Sequence, residues 1–190
     1  IKEHHHVRSK SGLFDVSHMG EFIVSGNNAK TFLQNVTTND IHNLEAGKVQ
    51  YSAFCNDSGG VIDDLLVYHL GDYYMLVVNA SNIEKNFEWL SSKLIDDVSL
   101  EDKSDSMSLL ALQGPLSRTH LKKLYPKIED LKYYETLLSD DNEVVVARTG
   151  YSGELGFEIY APNSIILKLW NEILSLSDDI LPVGLGCRDS

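Results

Sequence analysis

The sequence predicts an α+β fold, with helices packed on antiparallel or mixed sheets. Three observations carry this. Gly71-Asp72 separates two apolar, strand-like runs, the mark of a hairpin and hence of antiparallel pairing. Helical periodicity appears at 80–96 and again at 163–176. Strands and helices alternate without the strict βαβ rhythm that a parallel sheet needs.

The elements follow in order. His4-His5-His6 opens the chain, read as the solvated start of a helix. "GEFIVSGNNAKTFLQNV" (20–36) reads as a strand, a turn at Gly26-Asn27-Asn28 and a helix. "KVQYSAFC" (48–55) alternates as a strand does, and "NDSGG" (56–60) is a turn cluster. "VIDDLLVYHL" (61–70) and "YYMLVV" (73–78) form the hairpin. In "ASNIEKNFEWLSSKLID" (80–96), Ser81 and Glu84 make a capping box, and Ile83, Phe87, Leu90 and Leu94 mark one helical face. "SLEDKSDS" (99–106) is polar and reads as a loop. "MSLLALQGP" (107–115) is a strand entering a helix whose first turn suits Pro115. "EVVVARTGYSGELGFEIYA" (143–161) reads as two strands around a glycine-rich turn, and "NSIILKLWNEILSL" (163–176) as an amphipathic helix.

Composition narrows the function. The 190 residues suit one fair-sized domain or two small ones. A net charge of −12 argues against a nucleic-acid binder and gives no attraction to anionic membranes, so an anionic ligand must be held by local groups. Cys55 and Cys187 form no CxxC pattern, which fits a reducing compartment. No apolar stretch approaches the roughly 18–20 residues of a membrane-spanning helix, and no signal peptide is recognisable.

Four stretches invite chemistry. Adjacent histidines on an extended segment diverge, so His4-His5-His6 is not expected to hold a metal. "FDVSHMGE" (14–21) brings Asp15, Ser17 and His18 close in sequence, but closeness is not triad geometry, and turn and capping roles explain Asp15 and Ser17. "TGYSGELGFEIY" (149–160) sets Tyr151, Glu154 and Glu158 among three glycines. Glu158 there is either an exposed strand residue or a carboxylate that accepts two hydrogen bonds from an amino-pyrimidine edge. The sharpest anomaly is Asp63-Asp64, two acids inside an apolar strand. Successive strand residues face opposite ways, so one acid looks inward whichever face is buried. Parity does not say which.

The segments "GLFDVSHMGE", "YSAFCNDSGGVIDDLLVY", "VVNASN", "LLALQGP", "GYSGELGFEI" and "GLGCRDS" occur in this order along almost the whole chain. Together they resemble the T-protein of the glycine cleavage system, an aminomethyltransferase. The resemblance implies a tetrahydrofolate-binding core over 1–190 with two intertwined α+β lobes, cut at both ends and lacking a C-terminal β-barrel. It implies transfer of a one-carbon unit from the aminomethyl-dihydrolipoyl arm of H-protein to tetrahydrofolate, with release of ammonia and no metal. Asp64 corresponds to the catalytic carboxylate, Met19, Tyr51, Val77 and Asn79 to the pocket wall, and Tyr151, Glu158 and Arg188 to pterin-side contacts. Such a protein is cytoplasmic in a bacterium and mitochondrial in a eukaryote. The same folate contacts suit the folate module of a sarcosine or dimethylglycine oxidase, or of a folate-dependent demethylase. A non-catalytic folate-binding protein of iron–sulfur maintenance would carry "KGCYxGQE" where this chain has "TGYSGELG".

Overall fold

The structure is a computed structural model and describes residues 1–187. The chain divides into two compact units, one formed by residues 1–17 and 106–190 and the other by residues 18–105.

In chain order, α1 (Lys2–Ser9) leads into β1 (Ser11–Asp15). The second unit then holds β2 (Gly20–Ser25), α2 (Ala29–Val36), β3 (Val49–Cys55), β4 (Val61–His69), β5 (Tyr74–Val78), α3 (Ile83–Ser92) and β6 (Ser99–Asp102). The chain returns to the first unit with β7 (Met107–Gln113), α4 (Ser117–Leu121), β8 (Thr136–Leu138), β9 (Val145–Ala147), β10 (Gly156–Pro162), α5 (Asn163–Ser175) and β11 (Ile180–Pro182).

The 18–105 unit is built on a five-stranded sheet of order β3-β4-β5-β2-β6, antiparallel at every pairing. Phe22 and Val24 of β2, Leu65 and Val67 of β4 and Leu76 and Val78 of β5 point to one face. There they meet Phe32 and Leu33 of α2 and Leu90 of α3. The β4–β5 hairpin closes through Leu70 N–H on the Tyr73 carbonyl at 2.9 Å, with Gly71 at φ 91°. That φ lies in the left-handed region, where glycine has no Cβ penalty.

The other unit carries a six-stranded sheet of order β11-β1-β7-β10-β9-β8. It is mixed, because β11 runs parallel to β1 while the other pairs are antiparallel. Leu13, Leu110, Leu112, Phe157 and Ile159 pack with Leu169 and Ile173 of α5. The fold is thus α+β, as the hairpin signal predicts.

Several local expectations are corrected. The capping box at Ser81 and Glu84 does not form: residues 80–82 make a 3-10 turn, Asn82 caps α3, and no side chain bonds the cap. Leu94 lies past the end of α3 and is exposed, so the apolar face stops at Leu90. The polar stretch 99–102 is not a loop but the edge strand β6, paired with β2. An edge strand with one ordered neighbour tolerates charge, which also discourages stray pairing. Pro115 precedes α4, which begins at Ser117 after a Leu116 cap. Strands β1, β8 and β11 are too short or too interrupted for a periodicity argument.

Candidate functional site

On β4, Asp63 shares a face with Leu65 and Val67, which point into the core. Asp63 is 8% exposed. Asn79 Nδ2 donates to one of its oxygens at 2.9 Å and Asn86 Nδ2, from α3, to the other at 2.6 Å. Burial alone would raise its pKa, but hydrogen bonds from Asn86, Asn79 and Asn82 and from the Asp64 backbone outweigh it and hold the carboxyl below its ordinary range. The inward acid is therefore Asp63, and it is fully occupied by amides.

Asp64 faces the other way and is half-buried. The Tyr51 hydroxyl donates to Oδ2 at 2.7 Å and Asn79 Nδ2 to Oδ1 at 2.8 Å. Asn79 thus joins the two acids, its two amide hydrogens shared among Asp63 Oδ1, Asp64 Oδ1 and the Asp64 carbonyl at 3.2 Å. Tyr51 is 47% exposed. Its phenol is pushed above its ordinary range, first by the hydrogen bond to Asp64 and then by that carboxylate's charge. Asp64 is held by two donors at a solvent-reaching position, which suits a carboxylate that must meet a positive charge.

Sheet register places the neighbours. Tyr51 pairs with Leu66, Leu66 with Val77, and Val77 with Glu21, one row across β3, β4, β5 and β2. Paired residues share a face, and Leu66 shares it with Asp64 two positions earlier. Tyr51 and Val77 therefore lie on the Asp64 face, and Asn79 reaches Asp64 directly. Met19, half-buried, immediately precedes β2.

Sequence reasoning missed Glu21, at the end of that row. It is 0% exposed, and neither carboxylate oxygen has a hydrogen-bond partner among the described residues. Burial, followed by the charge of Asp102, raises its pKa to about 8, so it is mostly protonated at neutral pH. A signal was present, since Glu21 interrupts "GEFIVS" just as the aspartates interrupt β4.

In the other unit, Glu158 on β10 is 5% exposed, which removes the exposed-strand alternative. Its Oε2 accepts from the Thr149 hydroxyl and from Tyr160 Oη, the latter at 3.2 Å. Tyr151 stands exposed on the turn between β9 and β10. Tyr134 is a second residue that sequence reasoning missed. Its φ is 63°, an uncommon conformation for a bulky side chain. It stacks on Tyr133 with ring centroids 4.3 Å apart. Burial, a hydrogen bond with Tyr133 and the charges of Tyr151 and Glu158 push its phenol above its ordinary range. Nothing in "KYYET" marks this position, because the left-handed backbone and the approach to Glu158 come from tertiary structure. Arg188 lies outside the described residues.

The remaining motifs have local roles. Asp15 accepts the Ser17 N–H at 3.0 Å, and the Ser17 hydroxyl donates to the Leu109 carbonyl at 3.3 Å, which is a turn and not a triad. His4, His5 and His6 lie on α1, and His6 Nε2 meets the Asp179 carbonyl at 3.0 Å. No group of three potential metal ligands converges among the described residues.

All of residues 1–190 match the family model described as the GCVT N-terminal domain. The chain belongs to the GCVT N-terminal domain family. It is 49% identical to an aminomethyltransferase of Chloroherpeton thalassium and 46% identical to one of a Geobacillus species. All of the chain is covered in both alignments, and 54% of each relative, so it spans about half the length of the curated relatives it matches. The glycine cleavage system aminomethyltransferase T of Bartonella henselae superposes with a TM-score of 0.92 at 33% identity, over 99% of this chain and 52% of that one. The heterotetrameric sarcosine oxidase of Corynebacterium sp. U-96 superposes with a TM-score of 0.63 at 19% identity, over 87% of this chain and 83% of that one. At that identity the likeness to the oxidase is one of fold. Within this GCVT N-terminal domain, Asp64, Tyr51, Val77 and Asn79 are adjacent in the 18–105 unit, while Tyr151 and Glu158 belong to the other.

Proposed function

We propose that the protein is the aminomethyltransferase of the glycine cleavage system, taking an aminomethyl-dihydrolipoyl arm on H-protein and tetrahydrofolate as substrates. Ammonia leaves, and the one-carbon unit passes to tetrahydrofolate, giving the methylene form. The observation that carries this reading is the division of labour between Asp63 and Asp64. Asp63 is saturated by amides inside the core, and Asp64 is presented on the other face by Tyr51 and Asn79.

The carbon being transferred becomes iminium-like on the way. A carboxylate fixed in advance stabilises that charge without reorganising at the moment of reaction. It also orients the folate amines for attack. This chemistry asks for no metal, since the carboxylate supplies the opposing charge. Glu158, with Oε2 steadied by Thr149 and Tyr160, accepts from the amino and ring N–H groups of the pterin. Tyr151 and Arg188 complete the pterin contacts, and Met19 and Val77 line the wall. The relatives named above are bacterial, and we place the protein in the cytoplasm.

The test compares two adjacent substitutions in the intact protein. Asp64→Asn should reduce turnover of loaded H-protein at least about a hundredfold, the scale of losing a well-placed electrostatic group. Its melting temperature should barely move. Asp63→Asn should do the reverse: the Asn79 and Asn86 amides lose a charged acceptor, so stability falls while the Asp64 chemistry largely persists. Equal losses of turnover would refute the assignment.

A further inference from the structure

Gln113 ends β7 with a glycine opposite on either side, Gly12 on β1 and Gly156 on β10. It is buried. Its amide fills the space beside two glycines of the turn region: a Cβ at Gly150 would lie 2.2 Å from Gln113 Oε1, and one at Gly156 would lie 2.1 Å from it. Gly150 also has φ 153°, at the margin of the conformations that favour glycine. A glutamine amide has a donor end and an acceptor end, and here the two are used on different residues. Gln113 Nε2 donates to the Thr149 carbonyl at 3.3 Å, and Gln113 Oε1 accepts the Ser152 hydroxyl at 2.7 Å. Tyr151 lies between these two anchor points. Thr149 in turn donates its hydroxyl to Glu158.

We propose that Gln113 is a positioning residue that staples the 149–156 turn at Thr149 and Ser152, and so sets the placement of both Tyr151 and Glu158 toward a bound pterin. This rests on the reading of Glu158 and Tyr151 as ligand contacts. The staple explains why the turn carries Gly150 and Gly156, since their missing side chains make room for the amide. It also explains a buried glutamine in an otherwise apolar strand, "LLALQ". Outer residues that orient contacting ones commonly govern affinity without touching the ligand.

The test uses Gln113→Met, which keeps the length and removes both hydrogen bonds. Ser152→Ala, at a half-buried site, removes one of them together with the acceptor of the Glu154 N–H at 3.2 Å. Glu158→Gln is the reference. In the intact protein, Gln113→Met should weaken tetrahydrofolate binding about tenfold by calorimetry. Ser152→Ala should weaken it about threefold. Turnover at saturating folate should stay within about twofold in both, the split expected when binding is lost uniformly from ground and transition states. Combining Gln113→Met with Glu158→Gln should cost less than the product of the two separate effects, because the staple acts partly through Glu158. If Glu158→Gln weakens binding while Gln113→Met and Ser152→Ala do not, the positioning role is overturned and the pterin reading stands. Multiplicative effects in the double variant would mean that Gln113 acts independently of Glu158, and would equally overturn it. If Glu158→Gln itself leaves the dissociation constant unchanged, the pterin reading fails, and the inference fails with it.

Discussion

Glu21 makes a sharp claim about stability and pH. The carboxyl is fully buried, neither of its oxygens has a hydrogen-bond partner among the described residues, and its pKa rises from 4.5 to about 8. The shift comes first from burial and then from Asp102. A raised folded-state pKa means that the folded protein holds a proton that the unfolded chain releases. The stability associated with that proton is complete below about pH 4.5 and is lost as pH rises through about 8. The rise from 4.5 to about 8 amounts to about 5 kcal/mol in full, at about 1.4 kcal/mol for each tenfold change in proton affinity. Between pH 5 and pH 9 the loss is about 4 kcal/mol. Glu21→Gln keeps the size and cannot ionise, so its stability escapes this decline. Urea denaturation of both proteins at pH 5, 7, 8 and 9 measures the difference. The variant's stability relative to the parent should rise by about 4 kcal/mol across the series, steeply up to about pH 8 and little beyond it. Contributions from other titrating groups cancel in the subtraction. A difference constant to within about 0.5 kcal/mol would show that the Glu21 carboxylate is solvated or paired, and would refute the argument.

Three further predictions concern Asp63 and Asp64. Asn86 is fully buried and donates to Asp63, so Asn86→Leu should destabilise the protein by about 2–4 kcal/mol at pH 7, the range for leaving a buried charged group short of a partner. Asp63 has a depressed pKa, so its stabilising contribution is present above the usual carboxylate range and is lost on acidification. The gap between Asn86→Leu and the parent should therefore narrow from pH 7 toward pH 3, as read by urea denaturation. Tyr51→Phe removes one of the two side-chain donors to Asp64 and should lower turnover about tenfold with little change in melting temperature. In an ultraviolet titration, Asp64→Asn should bring the Tyr51 phenol back toward an ordinary tyrosine value, and a titration unmoved by that substitution would break the link between the two groups.

Four acids, Glu21, Asp63, Asp64 and Glu158, interrupt apolar strands; the sequence reading singles out the last three, and the same rule extends to Glu21, which it missed. Their fates differ because a residue's partners need not be its sequence neighbours. Asp63 is answered by Asn79 and Asn86, which stand 16 and 23 positions away. Alternation along β4 fixes that the two aspartates face apart, but only the position of α3 decides which one meets Asn86. The strands and helices with strong periodicity were legible for the same reason that the hairpin was: their pattern is local. Strand β6 was not, because its order comes from pairing with β2 and not from its own residues. Tyr134 was not, because its unusual backbone is set by tertiary contacts. Glu158 could be read as an anomaly, while its support from Thr149 and, behind that, Gln113 required the register of β10 against β7. A polar residue in an apolar strand thus identifies a position where something must be explained. Its hydrogen-bond partners decide whether the explanation is architecture, as at Asp63, presentation to a ligand, as we read Asp64, or a stored proton, as at Glu21.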